Sequence, residues 1–241
     1  MCTVTIHRSL AGYDVAMSRD EARGRGPEAP PARVVIGRPG PDWAIWPLDT
    51  ESGGTWIGAN SGGLAAMLLN NYRVPARHGA CSRGRVVPQL LQETSAARAA
   101  QKLEEIVAAC HFAPFTIVLV DLGQASRWEW SGDRLEGPWE IPGGWSLVTS
   151  SSWRSEEVEA WRHELFASWL RSGPVPGPDD SSVAGFNRIC VPGREAWSPL
   201  MGREHTATRS IVVLRCSAGG VPHMCWYPVV APRGQGGEAC A

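Results

Sequence analysis

The chain has 241 residues and a formal net charge of −1, with 43% hydrophobic and 20% charged residues. That balance excludes a partner held by bulk electrostatics, whether nucleic acid or membrane surface, and allows one large domain or two small ones. No apolar run is long enough to cross a bilayer, and no basic stretch followed by an apolar core opens the chain, so neither a transmembrane segment nor a secretory leader is expected.

CTVTIH alternates and is rich in β-branched residues, which predicts a half-buried strand; SLAGYD reads as a turn and YDVAMS as the returning strand of a hairpin. Residues 22–33 read as a loop of proline, glycine and arginine, RVVIG as a short strand and GRPGPDW as another turn. TWIGAN and GLAAMLL predict two strands joined at Ser61-Gly62, and residues 73–86 a basic loop. SAARAAQKLEEIVAAC predicts a helix with Leu103, Ile106, Val107 and Cys110 on one side. PFTIVLVD then predicts a buried strand, ASRWEW its hairpin partner and GWSLVTSSS a further strand. Residues 155–171 predict the clearest helix, capped by Ser155 and striped by Val158, Trp161, Leu165 and Trp169. SGPVPGPDDSS predicts a surface loop, the stretch from Thr206 to Val230 a hairpin turning at residues 217–220, and the tail from about 232 a frayed end. The expected architecture is one α+β domain over residues 1–241, with mainly antiparallel strands and two principal helices.

The seven cysteines, at 2, 81, 110, 190, 216, 225 and 240, are odd in number and contain no CxxC pair. Such spacing argues against a secreted disulfide framework and for a reducing, cytoplasmic compartment. Cys216, His223 and Cys225 flank one hairpin but match no common zinc spacing, so no metal site is expected.

Cys2 carries the sharpest chemical suggestion. Removal of Met1 exposes an α-amine with a reference pKa near 7.7–8.0 beside a thiol near 8.5, so nucleophile and base share one residue. A plain core cysteine on a strand is the bland alternative. The hairpin returns Arg19 and Asp20 to the start of the first strand: Arg19 can favour the thiolate or hold a substrate carboxylate, and Asp20 can accept from the amine or the thiol. Asn70 or Asn71, closing an apolar strand, can supply an oxyanion donor.

These motifs form a pattern. MC at the start, SRDE at 18–21, GGTWIG at 53–58 and GLAAMLLN ending at Asn70 resemble the NRDE, or transport-and-Golgi-organisation-two, proteins. SRG at 82–84, PFTIVLVD, SLVTS and HTATRSIVVL at 205–214 look like further segments of that family. Ser18 stands where the family box has asparagine, and Leu69 where threonine is usual. The family is similar to N-terminal-nucleophile hydrolases, and the resemblance implies a four-layer αββα sandwich. It further implies catalytic Cys2, Arg19, Asp20 and Asn70, with Trp56, Asn71, Ser150 and Arg209 on the substrate side.

Two functions follow from this reading. One is a hydrolase of an amide or acyl-thioester bond, acting on a small molecule and requiring no cofactor. The other is a haem, lipid or acyl-CoA carrier on the same fold, for which 12 tryptophans offer flat apolar contacts and His7, His78, His205, His223 or Cys2 an axial ligand. The sequence leaves the oligomeric state open.

Overall fold

The computed structural model describes residues 2–37, 39–174 and 182–229. β1 (Cys2–Ser9) and β2 (Gly12–Ala22) form the N-terminal hairpin, followed by β3 (Glu28–Val35), β4 (Trp43–Asp49), β5 (Ile57–Asn60) and β6 (Ala65–Asn70). Next come α1 (Val86–Leu90), α2 (Ala96–Ala109), β7 (Phe115–Val120), β8 (Ala125–Trp130), β9 (Leu135–Glu140) and β10 (Gly144–Ser150). α3 (Ser155–Arg171) precedes the closing hairpin of β11 (Thr206–Ser217) and β12 (His223–Pro228).

The strands form two antiparallel sheets, one in the order β10-β1-β2-β11-β12 and one running β3 to β9 in sequence. Alternation along the strands makes the layers. Cys2, Val4 and Ile6 of β1 and Val15 and Met17 of β2 face the second sheet, where Ile57, Met67, Leu69 and Val118 meet them. The opposite face of the second sheet puts Ala66, Leu68, Ile117 and Leu119 under α1 and α2. The first sheet's outer face lies under α3 and the segment from 182 to 202. There Trp145 meets Trp169 at 5.0 Å, and Phe166 meets Phe186 at 5.0 Å. This is the α+β, four-layer αββα sandwich expected of the N-terminal-nucleophile fold.

Several local expectations are corrected. Residues 28–33 are strand, not loop: β3 is the outer strand of its sheet, so Pro30 and Pro31 need no ladder donor, and the register shifts between Ala29 and Ala32 to pass them. The strands β4 and β9 and the short α1 had no predicted counterpart. Ser155 does not cap α3; its hydroxyl donates to the Ser151 carbonyl, and Arg154 precedes the helix in a left-handed conformation. The buried face of α3 is Val158, Glu159, Arg162 and Phe166, so two charged side chains point inward where an apolar stripe was expected. Cys81 and Cys110 form a disulfide, which the reading of a reducing compartment did not anticipate; Cys81 lies in the basic loop and Cys110 just past α2. Most of the loop expected at 172–182 and all of the tail from 232 lie outside the described residues.

Candidate active site

The hairpin register brings the site together. Cys2 pairs with Arg19 on β2 and with Ser150 on β10, and directly opposed residues share a face, so Cys2 and Arg19 both turn toward the second sheet. Cys2 is 8% exposed and forms part of the wall of a polar cavity of about 160 Å³. Arg19, Asp20, Asp49, Trp56, Asn70 and Arg83 are among its other lining residues. Burial pushes the Cys2 thiol up; the positive amino terminus pulls it back, the Asp20 carboxylate adds to the rise, and the Asp20 N–H and Arg19 oppose it. The raised value keeps the thiol in its protonated form, so any nucleophilic use of it would call for a base.

Arg19 is 5% exposed and already matched. Its guanidinium donates to Glu28 Oε2 at 2.9 Å and to Asp49 Oδ2 at 3.0 Å, and it lies 4.5 Å over the Trp56 ring. Glu28 and Asp49 belong to β3 and β4, so this residue clamps one sheet to the other and props Trp56 against the cavity. Arg19 does pull the thiol down, as expected, but as the weakest of the named effects, and its charge is matched by two carboxylates.

Asp20, one residue on, accepts from Thr208 Oγ1 at 2.6 Å. Burial raises its carboxyl, while Arg162, the amino terminus, the Thr208 hydroxyl and Arg203 pull it back. Asn70 ends β6 at the cavity, with Nδ2 donating to the Tyr72 hydroxyl at 2.7 Å. An amide nitrogen carries two hydrogens, so a second donor remains on the same atom. Ser150 Oγ accepts from the Cys2 backbone N at 3.3 Å. Trp56 lines the cavity, whereas Trp43 and Trp46 do not.

Two expected substrate contacts lie elsewhere. Asn71 faces a neighbouring, water-sized space and accepts from the Arg73 N–H, closing a turn. Arg209 is the extra residue of a β-bulge: Thr208 opposes Asp20 and Ser210 opposes Arg19, and the Arg209 guanidinium turns away to the Arg23 carbonyl at 3.0 Å. The two departures from the family pattern are also structural. Ser18 accepts from Asn187 Nδ2 at 2.9 Å on the outer face of its sheet, and Leu69 fills the core between sheets. Neither lines the cavity.

None of His7, His78, His205 and His223 lines the Cys2 cavity. His7 and His223 border a separate depression with Tyr13 and Arg215. The cavity is small beside usual cofactor clefts of about 300–1,000 Å³, and its charged walls do not fit haem.

Sequence reasoning missed Thr208, Arg162 and Arg83. Arg162 is fully buried and ties β1, the strand bearing Cys2, to its surroundings, donating to Thr3 Oγ1 at 3.1 Å, Thr149 Oγ1 at 2.9 Å, the Trp197 carbonyl at 2.7 Å and the Ser198 carbonyl at 2.9 Å. Its signal was present: it sits four residues after Val158 and four before Phe166, an arginine on the helix's own inward line. Arg83 sat in a recognised segment without being read as a site residue.

The fold has known counterparts. An N-acylethanolamine-hydrolyzing acid amidase ortholog from Caenorhabditis elegans superposes with a TM-score of 0.55 at 12% identity, covering 89% of this chain and 92% of that one. A variant of the conjugated bile acid hydrolase from Clostridium perfringens superposes at 0.52 with 10% identity, covering 95% and 92%. At such identities the likeness speaks to fold alone. A search of curated proteins found no match. The sequence model for Transport and Golgi organisation 2 matches residues 1–162, the stretch holding Cys2, Arg19, Asp20, Asn70 and Arg83, and the chain belongs to that family.

Proposed function

We propose that the protein is an N-terminal-cysteine hydrolase of a small amide or acyl-thioester. The observation that carries this reading is the register placing Cys2, at the start of β1, in the wall of a polar cavity beside Asp20 and Asn70. Once Met1 is removed, the Cys2 α-amine takes the thiol proton as Sγ attacks the substrate carbonyl. Asn70 Nδ2 donates to the developing oxyanion. As the tetrahedral adduct collapses, the C–N or C–S bond breaks and the new ammonium returns its proton to the leaving group. Water, deprotonated by the same amine, then cleaves the acyl-cysteine. Ser150 fixes the position of the Cys2 nitrogen, and Asp20 lines the same cavity. The chemistry calls on no cofactor.

The Cys81–Cys110 disulfide favours an oxidising compartment over the cytoplasmic setting suggested by cysteine spacing, because cytosolic thiols are kept reduced. No helix among the described residues is long and apolar enough to cross a membrane.

Intact-mass analysis tests the reading. The wild type should lack Met1 and, on mixing with amide and acyl-thioester substrates, gain the mass of the acyl group; Cys2→Ala should not. Retained Met1, or an adduct that persists in Cys2→Ala, overturns the proposal.

A further inference from the structure

The charges around the Cys2 cavity are unequally satisfied. Arg19 and Arg25 are matched by Glu21, Glu28, Asp49 and Glu51. Arg83 is different. It lines the same cavity, donates through Nη1 to the Pro114 carbonyl at 3.0 Å, and has no carboxylate within ion-pair distance among the described residues. A guanidinium offers five N–H donors, so most of its fork is unspent. Trp56 also lines the cavity, but its indole nitrogen is sealed from water and offers the cavity no donor.

The chain segment bearing Arg83 is held firmly. Gly84 packs against Gly54 so closely that a Cβ on Gly54 would fall 2.6 Å from Gly84 Cα. The Thr55 N–H donates to the Gly84 carbonyl at 3.0 Å, and the Cys81–Cys110 disulfide anchors the loop two residues before Arg83. A preorganised guanidinium loses little freedom when it binds a planar anion.

We infer that the Cys2 cavity takes a short acyl compound bearing a carboxylate, with Arg83 as the residue that anchors the carboxylate. A guanidinium is a donor only, and the volume of about 160 Å³ suits a compact molecule better than a long acyl chain. This deepens the hydrolase reading and rests on it for the word acyl; anion capture by Arg83 stands on its own.

The experiment compares alkylation of Cys2 by iodoacetate and by the neutral, similarly sized iodoacetamide, followed by peptide mass mapping in full-length wild type, Arg83→Gln and Arg83→Lys. The iodoacetate-to-iodoacetamide rate ratio should fall on the order of tenfold in Arg83→Gln and stay near the wild-type value in Arg83→Lys, which keeps the charge. Calorimetry with succinate and succinamide gives a readout independent of thiol reactivity: succinate affinity should drop by a similar factor in Arg83→Gln, with succinamide unaffected. Equal ratios and equal succinate affinities in wild type and Arg83→Gln overturn the inference. The two readings fail separately. Arg83-dependent anion selection without any acyl-cysteine retains the anchor and sinks the hydrolase; an acyl-cysteine formed with no charge preference does the reverse.

Discussion

Replacing Arg162 with methionine should destabilise the fold and do so more at neutral than at acidic pH. The side chain is fully buried and makes five hydrogen bonds, among them donations to the carbonyls of Trp197 and Ser198. Methionine fills much of the space but leaves those carbonyls without donors, at about 1–3 kcal/mol each. It also deprives buried Asp20 of the strongest of the charges holding it ionised. The expected loss is about 3–5 kcal/mol, as for breaking a buried charged set, and it should lower the melting temperature by about 6–20 °C. The sign of the pH effect follows from Asp20. Burial raises its folded-state pKa above the ordinary carboxylate value, so its protonation favours folding below about pH 3.9, and that advantage is lost as pH rises through the raised value. Without Arg162 the raised value climbs further, and the variant should lose more stability at pH 7 than near pH 4. Thermal and urea melts followed by near-ultraviolet circular dichroism measure both effects. A loss under about 1 kcal/mol, or one that does not change with pH, refutes the argument.

Three further outcomes are expected. Asn70→Ala should slow acylation of Cys2 by about 10²–10³ with little change in melting temperature, because it removes an oxyanion donor and a partly buried bond to Tyr72; a normal acylation rate in stopped-flow assays removes Asn70 from the mechanism. Asp49→Asn should cost about 1–3 kcal/mol at pH 7. Burial pushes the Asp49 carboxyl up, but Arg25, Arg19 and the Ser52 N–H together bring it below its ordinary value, so its stabilisation is present above about pH 3.9 and fades as pH falls through the lower folded value. The urea midpoints of wild type and Asp49→Asn should therefore converge in acid. Replacing Cys81 and Cys110 together with serine should lower stability by about 3–4 kcal/mol, the chain-entropy value for a bridge spanning 29 residues; unchanged urea midpoints under non-reducing conditions reject a stabilising bridge.

Legibility followed burial and periodicity. β1, β2, β6 and β7 were readable because each alternates or runs apolar against a core on a defined face, and α2 because Ser95 caps it and Leu103 and Ile106 share a side. β3 was readable only in its last residues, and β9 not at all: both are outer strands, largely exposed, and both contain proline that an interior ladder would reject. The inward face of α3 was misread because Arg162 is buried through bonds to carbonyls and hydroxyls contributed by residues far away in sequence.

At the site, the sequence by itself determined where Cys2 sits and which residues the hairpin brings opposite it, since antiparallel pairing makes Arg19 oppose Cys2 once the turn is set. It also determined that Asn70 closes the strand leading to the cavity. Only the tertiary structure decided what each charge does there. Glu28 and Asp49 reach Arg19 from the other sheet and spend it as a clamp, a bulge at Arg209 turns that side chain away and leaves Thr208 on Asp20, and the Gly54–Gly84 contact brings Arg83 to the cavity with one donor on the Pro114 carbonyl and no carboxylate partner among the described residues. Ion pairs, bulges and close backbone approaches join residues distant in the chain, and no local pattern of residue types records which of them will meet.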